Sequence, residues 1–448
     1  MDLEGVLREQ VVPVLGCTEP GAIGLAAALA RAAAAGTLPV WLGGAGTAVV
    51  PESTGLKVRV AVDGNVYKNA FAVGLPKSSG RAGIELAAAL GALLSPEPGL
   101  NLFSGLRAEH FRQAEGLVTD GHVAAALADG GSSPYIRAEV ECDGHTGCAL
   151  ICGGHAQVEL VTRDGAPVFT QPATAATCPD RNLREAGTLG LGALIGAVTA
   201  LTPPMVAFLL EGVELNRAAA AHGRQAGPGL GVSSRLERAS ACGWLGRDLP
   251  FLAETLTAAA CDARMAGEDV PVMSCAGSGN QGIVATLPIA AAADWLRDAG
   301  RPAPDVAVAQ ATALSHLVCC YVTAHTGYLT PLCGCITKAG LGAAAGVCRL
   351  LGGRAAEIEE SVKIMAANVV GAICDGAKAG CALKLATAAG TAVKAALLAL
   401  EGLRVPAGNG IVGLDAASTI ANIARAAQAA RDVDAAILEI LLATRAPA

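Results

Sequence analysis

Aromatic side chains are scarce: Phe, Trp and Tyr together make up 3% of the chain. That leaves no stacking platform for single-stranded nucleic acid. Charge is also sparse, at 16%, and the balance is acidic, −7 at neutral pH, with no basic block. Nucleic-acid partners are therefore not expected, because Lys and Arg must neutralise phosphates. The N-terminus, MDLEGVLREQVVPVLG, lacks the basic-then-apolar order of a secretory signal, so the expected compartment is the cytoplasm. No fixed-period repeat marks a solenoid. Low charge combined with 52% apolar residues excludes disorder.

Long uncharged runs are present. Residues 186–210 and 306–337 are each long enough for a span of ~20 residues. Pro203 and Pro204 interrupt the first, and the second holds Gln310, Ser315, His316, His325 and four cysteines. Neither has a Trp/Tyr belt or a Lys/Arg bias. Buried helices of a protein outside the membrane are the expected reading. The 448 residues include 56 glycines and abundant alanine, which implies closely packed small-residue helices, a surface type that suits a homodimer.

The pattern divides the chain in three and predicts an α+β fold. Residues 1–37 read as helical around a Gly-Cys-Thr-Glu-Pro turn at 16–20, with Thr18 as N-cap and Pro20 in the first turn. This segment is expected to pack on the helical part. Residues 38–178 form an inserted α+β domain. Leu56, Val58, Val60 and Val62 alternate, as do Ile136, Ala138, Val140 and Cys142, predicting antiparallel strands. Helices are expected near 82–94 and 107–126. Residues 179–448 read as a helical catalytic part, with Ala-rich runs at 183–200, 205–221, 249–265, 306–324, 337–350, 354–373, 378–400 and 415–443.

The 15 cysteines are an odd number in a long chain, which disfavours a disulfide framework in a reducing compartment. Cys319, Cys320 and Cys348 lie in apolar runs and read as small core hydrophobes. Cys142, Cys148 and Cys152 read as strand residues, and Cys178, Cys242 and Cys261 show no partner pattern. Cys374 and Cys381 are seven apart, two turns on one helix face. Their Cα atoms would then be ~10 Å apart, a span that fits a cluster better than one zinc ion. From spacing alone they, and Cys333 of the Cys333-Gly-Cys335 pair, are as readily core residues as ligands. Cys17 lies at a helix start, where amides and the helix dipole favour a thiolate; a buried turn cysteine is the alternative. Gly-Ser-Gly-Asn-Gln-Gly at 277–282 reads as an interhelical loop that can hold a carboxylate, but it lacks the Lys-Ser/Thr ending of a P-loop. His316 reads either as a substrate contact or as a core histidine.

Several segments, VLGCTEP at 14–20, CGGHAQVELV at 152–161, ACDARMAG at 260–267 and SCAGSGNQGIVATLP at 274–288, occur in this order. They are followed by LSHL at 314–317, PLCGC at 331–335, GLGAAAG at 340–346 and ICDGAKAGCALK at 373–384. In these the chain resembles, over essentially its whole length, the L-cysteine desulfidases of the serine dehydratase alpha-chain-like family. The resemblance implies a [4Fe–4S] cluster on Cys333, Cys374 and Cys381, with Cys335 the alternative to Cys333, and Cys17 as proton acceptor. It implies β-elimination of L-cysteine to sulfide, ammonia and pyruvate without pyridoxal phosphate, with L-serine as the rival substrate. Three protein thiolates leave one iron free as a Lewis acid, and soft iron suits a thiolate. Thr18, Glu19, Ser278, Gly279, Asn280, Gln281, His316 and Lys378 are the candidates for holding the substrate.

Overall fold

The computed structural model describes residues 2–46, 55–128, 133–171 and 181–445. The expected boundary at 178/179, and Cys178 with it, lies outside the described residues. Two hydrophobic cores organise the chain.

The smaller core lies under a six-stranded sheet. Its strands are β2 (Lys57–Val62), β3 (Val123–Leu127), β4 (Tyr135–Cys142), β5 (His145–Cys152), β6 (Val158–Arg163) and β7 (Ala166–Thr170), with β1 and β8 reserved for a separate ribbon. The order is β3-β2-β4-β5-β6-β7. All neighbours are antiparallel except β2 and β3, which are parallel, so the sheet is mixed rather than purely antiparallel. β3 also replaces the end of the helix expected at 107–126, which stops at Thr119. The alternating residues Val58, Val60, Val62, Ile136, Ala138 and Val140 all face this core.

The helix Thr18–Ala35 packs on β4 and β5 and on the helix Ile84–Ala92. Its apolar residues do not join the helical part, contrary to the expectation for residues 1–37; Leu3, Val6, Leu7, Val11 and Cys17 are the buried apolar residues of that segment in the larger core. The reason is local. Thr18–Ala35 is buried on every side, so its apolar pattern carries no face to show which neighbour it meets. Its approach to β5 is close: a Cβ on Gly147 would lie 1.8 Å from the Ala30 carbonyl oxygen, so no side chain fits there. Burying Leu25 and Leu29 contributes about 1.5–3 kcal/mol each.

The larger core is a stack of Ala-rich helices. Leu249–Met265 packs against Pro203–Ala226, Cys381–Leu400 and Gly279–Asp298. Small residues permit it: a Cβ on Gly223 would stand 2.0 Å from the Ala259 carbonyl oxygen. The 186–210 run takes in the end of the helix Arg181–Thr188 and then two segments, Leu191–Ala200 and Pro203–Ala226, bent by 102°. Asp305–Thr326 and Cys381–Leu400 are long and apolar enough to cross a bilayer by length and composition. In the fold 83% of the most apolar window of the former is buried against its neighbours, and 56% of that of the latter.

A short antiparallel ribbon ties the two cores together. β1 (Pro13–Leu15) pairs with β8 (Pro271–Met273) in the register Val14↔Val272. The ribbon continues into Ser274 N–H to the Val12 carbonyl and Ala276 N–H to the Gln10 carbonyl. It delivers Cys17 and Ser278 to the same place.

Candidate active site

Two helix starts meet beyond the ribbon. Cys17 is the N-cap of Thr18–Ala35. Ser278 is the N-cap of Gly279–Asp298, its hydroxyl accepting from Gln281 N–H. The Thr18 hydroxyl donates to the Gly277 carbonyl at 3.1 Å, joining the two starts. The 277–282 segment is thus not an open loop, since its glycine-rich half is the first turn of a helix. Unpaired N–H groups and the positive dipole end still favour a bound carboxylate there.

A third helix, Cys381–Leu400, begins nearby. Cys374 is not on it. The residues before it form an irregular turn in which Gly376 takes a φ of +91°, and a Cβ there would meet the Lys68 carbonyl. The expected two-turn helical spacing of Cys374 and Cys381 therefore gives way to a loop and a helix start. Cys333 and Cys374 are aligned instead by main-chain pairing. Cys333 N–H donates to the Ala372 carbonyl at 2.8 Å and Cys374 N–H to the Pro331 carbonyl at 2.7 Å.

These elements border a half-open cavity with about 840 Å³ of empty space, its solvent-open mouth included. It is lined by Cys17, Thr18, Glu19, Ser278, Asn280, Gln281, Cys333, Cys335, Cys374 and Cys381. Three expected residues, His316, Lys378 and Gly279, do not line it. His316 is buried between helices, its Nε2 3.4 Å from the Thr286 hydroxyl, and burial pushes its imidazole down to about 3. The Lys378 ammonium turns away to the carbonyls of Lys68 and Asp375. Gly279 contributes backbone to the helix start and is not part of the lining.

Lys68, Asn69, His155, Arg264 and Lys384, which had no individual role in the sequence reading, are among the residues that line the cavity. His155 and Arg264 lie within CGGHAQVELV and ACDARMAG, so a histidine in a Gly-Gly turn and an arginine in an apolar run were visible signals. Lys68 and Asn69 sit on the short helix Gly64–Ala70 and carried none.

Arg264 is 3% exposed. It donates to Asn280 Oδ1 at 2.8 Å and to the Gly16 carbonyl at 2.6 Å, clamping the turn before Cys17 to the start of the second helix. Asn280 is thereby engaged in the scaffold. Arg264→Met leaves two buried acceptors without their charged donor, so a loss of about 2–4 kcal/mol is expected, read as a lower urea midpoint.

Cys17 does not sit as an isolated thiolate. Its thiol donates to Glu19 Oε2 at 2.9 Å, and burial, reinforced by the Glu19 charge, pushes its pKa well up despite Arg264. Glu19 Oε1 accepts from Asn69 Nδ2 at 3.0 Å. Among the cluster candidates, Cys333 differs. The hydrogen bond with Cys335, helped by the Lys384 ammonium, outweighs burial and brings Cys333 down to about 7. Burial pushes Cys381 up to about 11 and Cys374 upward. Cys335 opens a π-helical segment, Cys335–Gly340, an element common at functional sites. Lys338 in this segment donates to the carbonyls of Gly327 and Tyr328, fixing the loop that forms one cavity wall. Burial lowers its ammonium to about 8.

Among the described residues no three His, Cys, Asp or Glu side chains are grouped to hold a single metal ion. The thiols of Cys333, Cys374 and Cys381 instead line one cavity, beside the ammonium groups of Lys68 and Lys384. An all-thiol donor set around a space wider than one ion, with cations to offset thiolate charge, fits an iron–sulfur cluster.

A half-enclosed cavity with thiols, helix starts and buried cations defines a small-molecule enzyme site. The profile of the serine dehydratase alpha chain family matches residues 195–439. A UPF0597 protein of Desulfatibacillum aliphaticivorans is 37% identical over 449 residues, covering 98% of both chains. A UPF0597 protein of Oleidesulfovibrio alaskensis is 36% identical over 442 residues, 98% of this chain and 97% of that one. The chain belongs to the serine dehydratase alpha chain family, and with it to the serine dehydratase-like lyases.

Proposed function

We propose that the chain catalyses β-elimination from a small amino acid, L-cysteine in first place, using a [4Fe–4S] cluster on Cys333, Cys374 and Cys381. One observation carries the reading: the three thiols line the same cavity as the Cys17–Glu19 pair. When bound, the cluster supplies a Lewis-acidic iron corner for the substrate's thiol or hydroxyl.

The chain's own residues do the rest. The helix starts at Thr18 and Gly279 offer amides to the substrate carboxylate. Cys17 takes the α-proton after passing its own proton to Glu19, whose carboxylate is already in hydrogen-bond contact. Burial excludes water and strengthens these contacts. Sulfide departs, and the released aminoacrylate is hydrolysed to pyruvate and ammonia. A proton acceptor within hydrogen-bond reach of its partner is the geometry that general base catalysis needs.

L-Serine is the second reading, favoured by the family match itself. Anaerobic assay of the iron-loaded protein decides between them. Sulfide and pyruvate from L-cysteine are expected at a higher kcat/KM than pyruvate from L-serine. Dominant turnover of serine reverses the substrate order, and activity on neither overturns the elimination.

A further inference from the structure

We propose that His155 is a relay residue that carries the proton of the Cys17–Glu19 pair out of the cavity. This rests on the elimination reading above. His155 belongs to the turn between β5 and β6. Gly153 N–H to the Pro134 carbonyl, Cys152 N–H to the Gln157 carbonyl and Gln157 N–H to the Gly154 carbonyl, each 3.0–3.1 Å, hold that turn. Gly153 enters it with a φ of +77°, a conformation that favours glycine. The histidine thus comes from the sheet, whereas Cys17 and Glu19 come from the start of a helix.

The imidazole Nε2 is buried and has no hydrogen-bond partner among the described residues. The carboxylate near it is Glu19, with Oε1 3.8 Å away. Glu19 therefore stands between two groups. Its Oε2 accepts from the Cys17 thiol, and its Oε1, held by Asn69, faces His155. A small rotation of the ring closes the remaining gap. A buried polar atom without a partner costs about 1–3 kcal/mol, and nothing in the packing of the turn uses this nitrogen.

His155 also lines a second cavity, together with Thr18, Gly277 and Tyr328, which border both. The second cavity has about 1270 Å³ of empty space and is bounded by Glu9, Gln10 and Gln171. His155 stands where the two meet.

The chemistry calls for such a group. Elimination breaks the substrate Cα–H bond and forms a Cys17 S–H bond. Before the next turnover Cys17 must return to the state that accepts a proton. Glu19, 7% exposed, still holds the proton that Cys17 gave it before the elimination, and Cys17 cannot be deprotonated again until Glu19 has lost it. Glu19 passes that proton to Nε2 of His155, and the imidazole releases a proton to the second cavity. No oxidant or co-reactant is needed. Histidine suits the step because imidazole exchanges protons near neutral pH.

The test uses the iron-loaded full chain. His155→Ala is expected to lower kcat about 10–100-fold, with KM within about twofold and iron content unchanged. Added imidazole, which the second cavity can admit, is expected to restore kcat in a concentration-dependent way. His155→Gln, close in shape but unable to relay, is expected to show the same loss without rescue. Wild-type kcat in either variant, or a loss in His155→Ala that imidazole leaves untouched, overturns the relay. A wild-type protein inactive on both amino acids overturns the elimination reading, and the relay with it.

Discussion

Anaerobically reconstituted Cys17→Ala is expected to keep its iron and lose turnover, by about 10²–10⁴-fold, the usual worth of a positioned general base. The side chain makes no cap bond to its own helix, so removing it leaves the helix start intact. Glu19 retains its bond from Asn69. What disappears is a thiol whose proton has a carboxylate acceptor at 2.9 Å inside the cavity. Iron analysis beside kcat checks the result. Lost iron in this variant would make Cys17 a ligand, and full turnover would remove it from the reaction.

Single alanine substitutions at Cys333, Cys374 and Cys381 are each expected to strip the cluster, from about four irons per chain to near none. Each thiol sits on backbone fixed independently of the iron: Cys333 and Cys374 by the 331–333 and 372–374 pairing, Cys381 by the start of its helix. Alanine should therefore fold and simply fail to bind. Cys335→Ala is the discriminating control and is expected to keep iron. In the fold Cys335 hydrogen-bonds Cys333 and holds the more protonated sulfur of the two. Iron, acid-labile sulfide and the visible spectrum check the set. Full iron in all three variants refutes the ligand assignment, and loss in Cys335→Ala alone moves the ligand by two residues.

The fold class was legible because alternation and Ala-rich helical runs are local signals. Leu249–Met265 coincides with the run read at 249–265. The helix Val232–Ala241 was not read, and Gly279–Asp298 was read only as an unbounded helix following an interhelical loop. The second hides behind a Gly-rich first turn that resembles a loop in sequence. The parallel pairing of β2 with β3 was also invisible, since strand direction is set by the intervening helices and not by alternation.

The site divides in the same way. Spacing left Cys333, Cys374 and Cys381 as readily core residues as ligands, and it was the family resemblance that implied a cluster on them and a proton acceptor at Cys17. The grounds for pairing Cys374 with Cys381 were wrong in detail, because Gly376 breaks the helix between them. Lys378 was a plausible cation near the ligands, yet Lys68 and Lys384 are the lysines that line the cavity.

By itself, the sequence determined that this is an α+β protein with small-residue helices and a thiol-rich site. Those are properties of composition, period and motif. Only the tertiary structure decided that Thr18–Ala35 belongs to the sheet, that Arg264 clamps the turn before Cys17, and that Glu19 lies between Cys17 and His155. Arg264 and Gly16 are 248 residues apart in the chain. Such contacts arise from how buried surfaces match across the fold, and no local pattern records them.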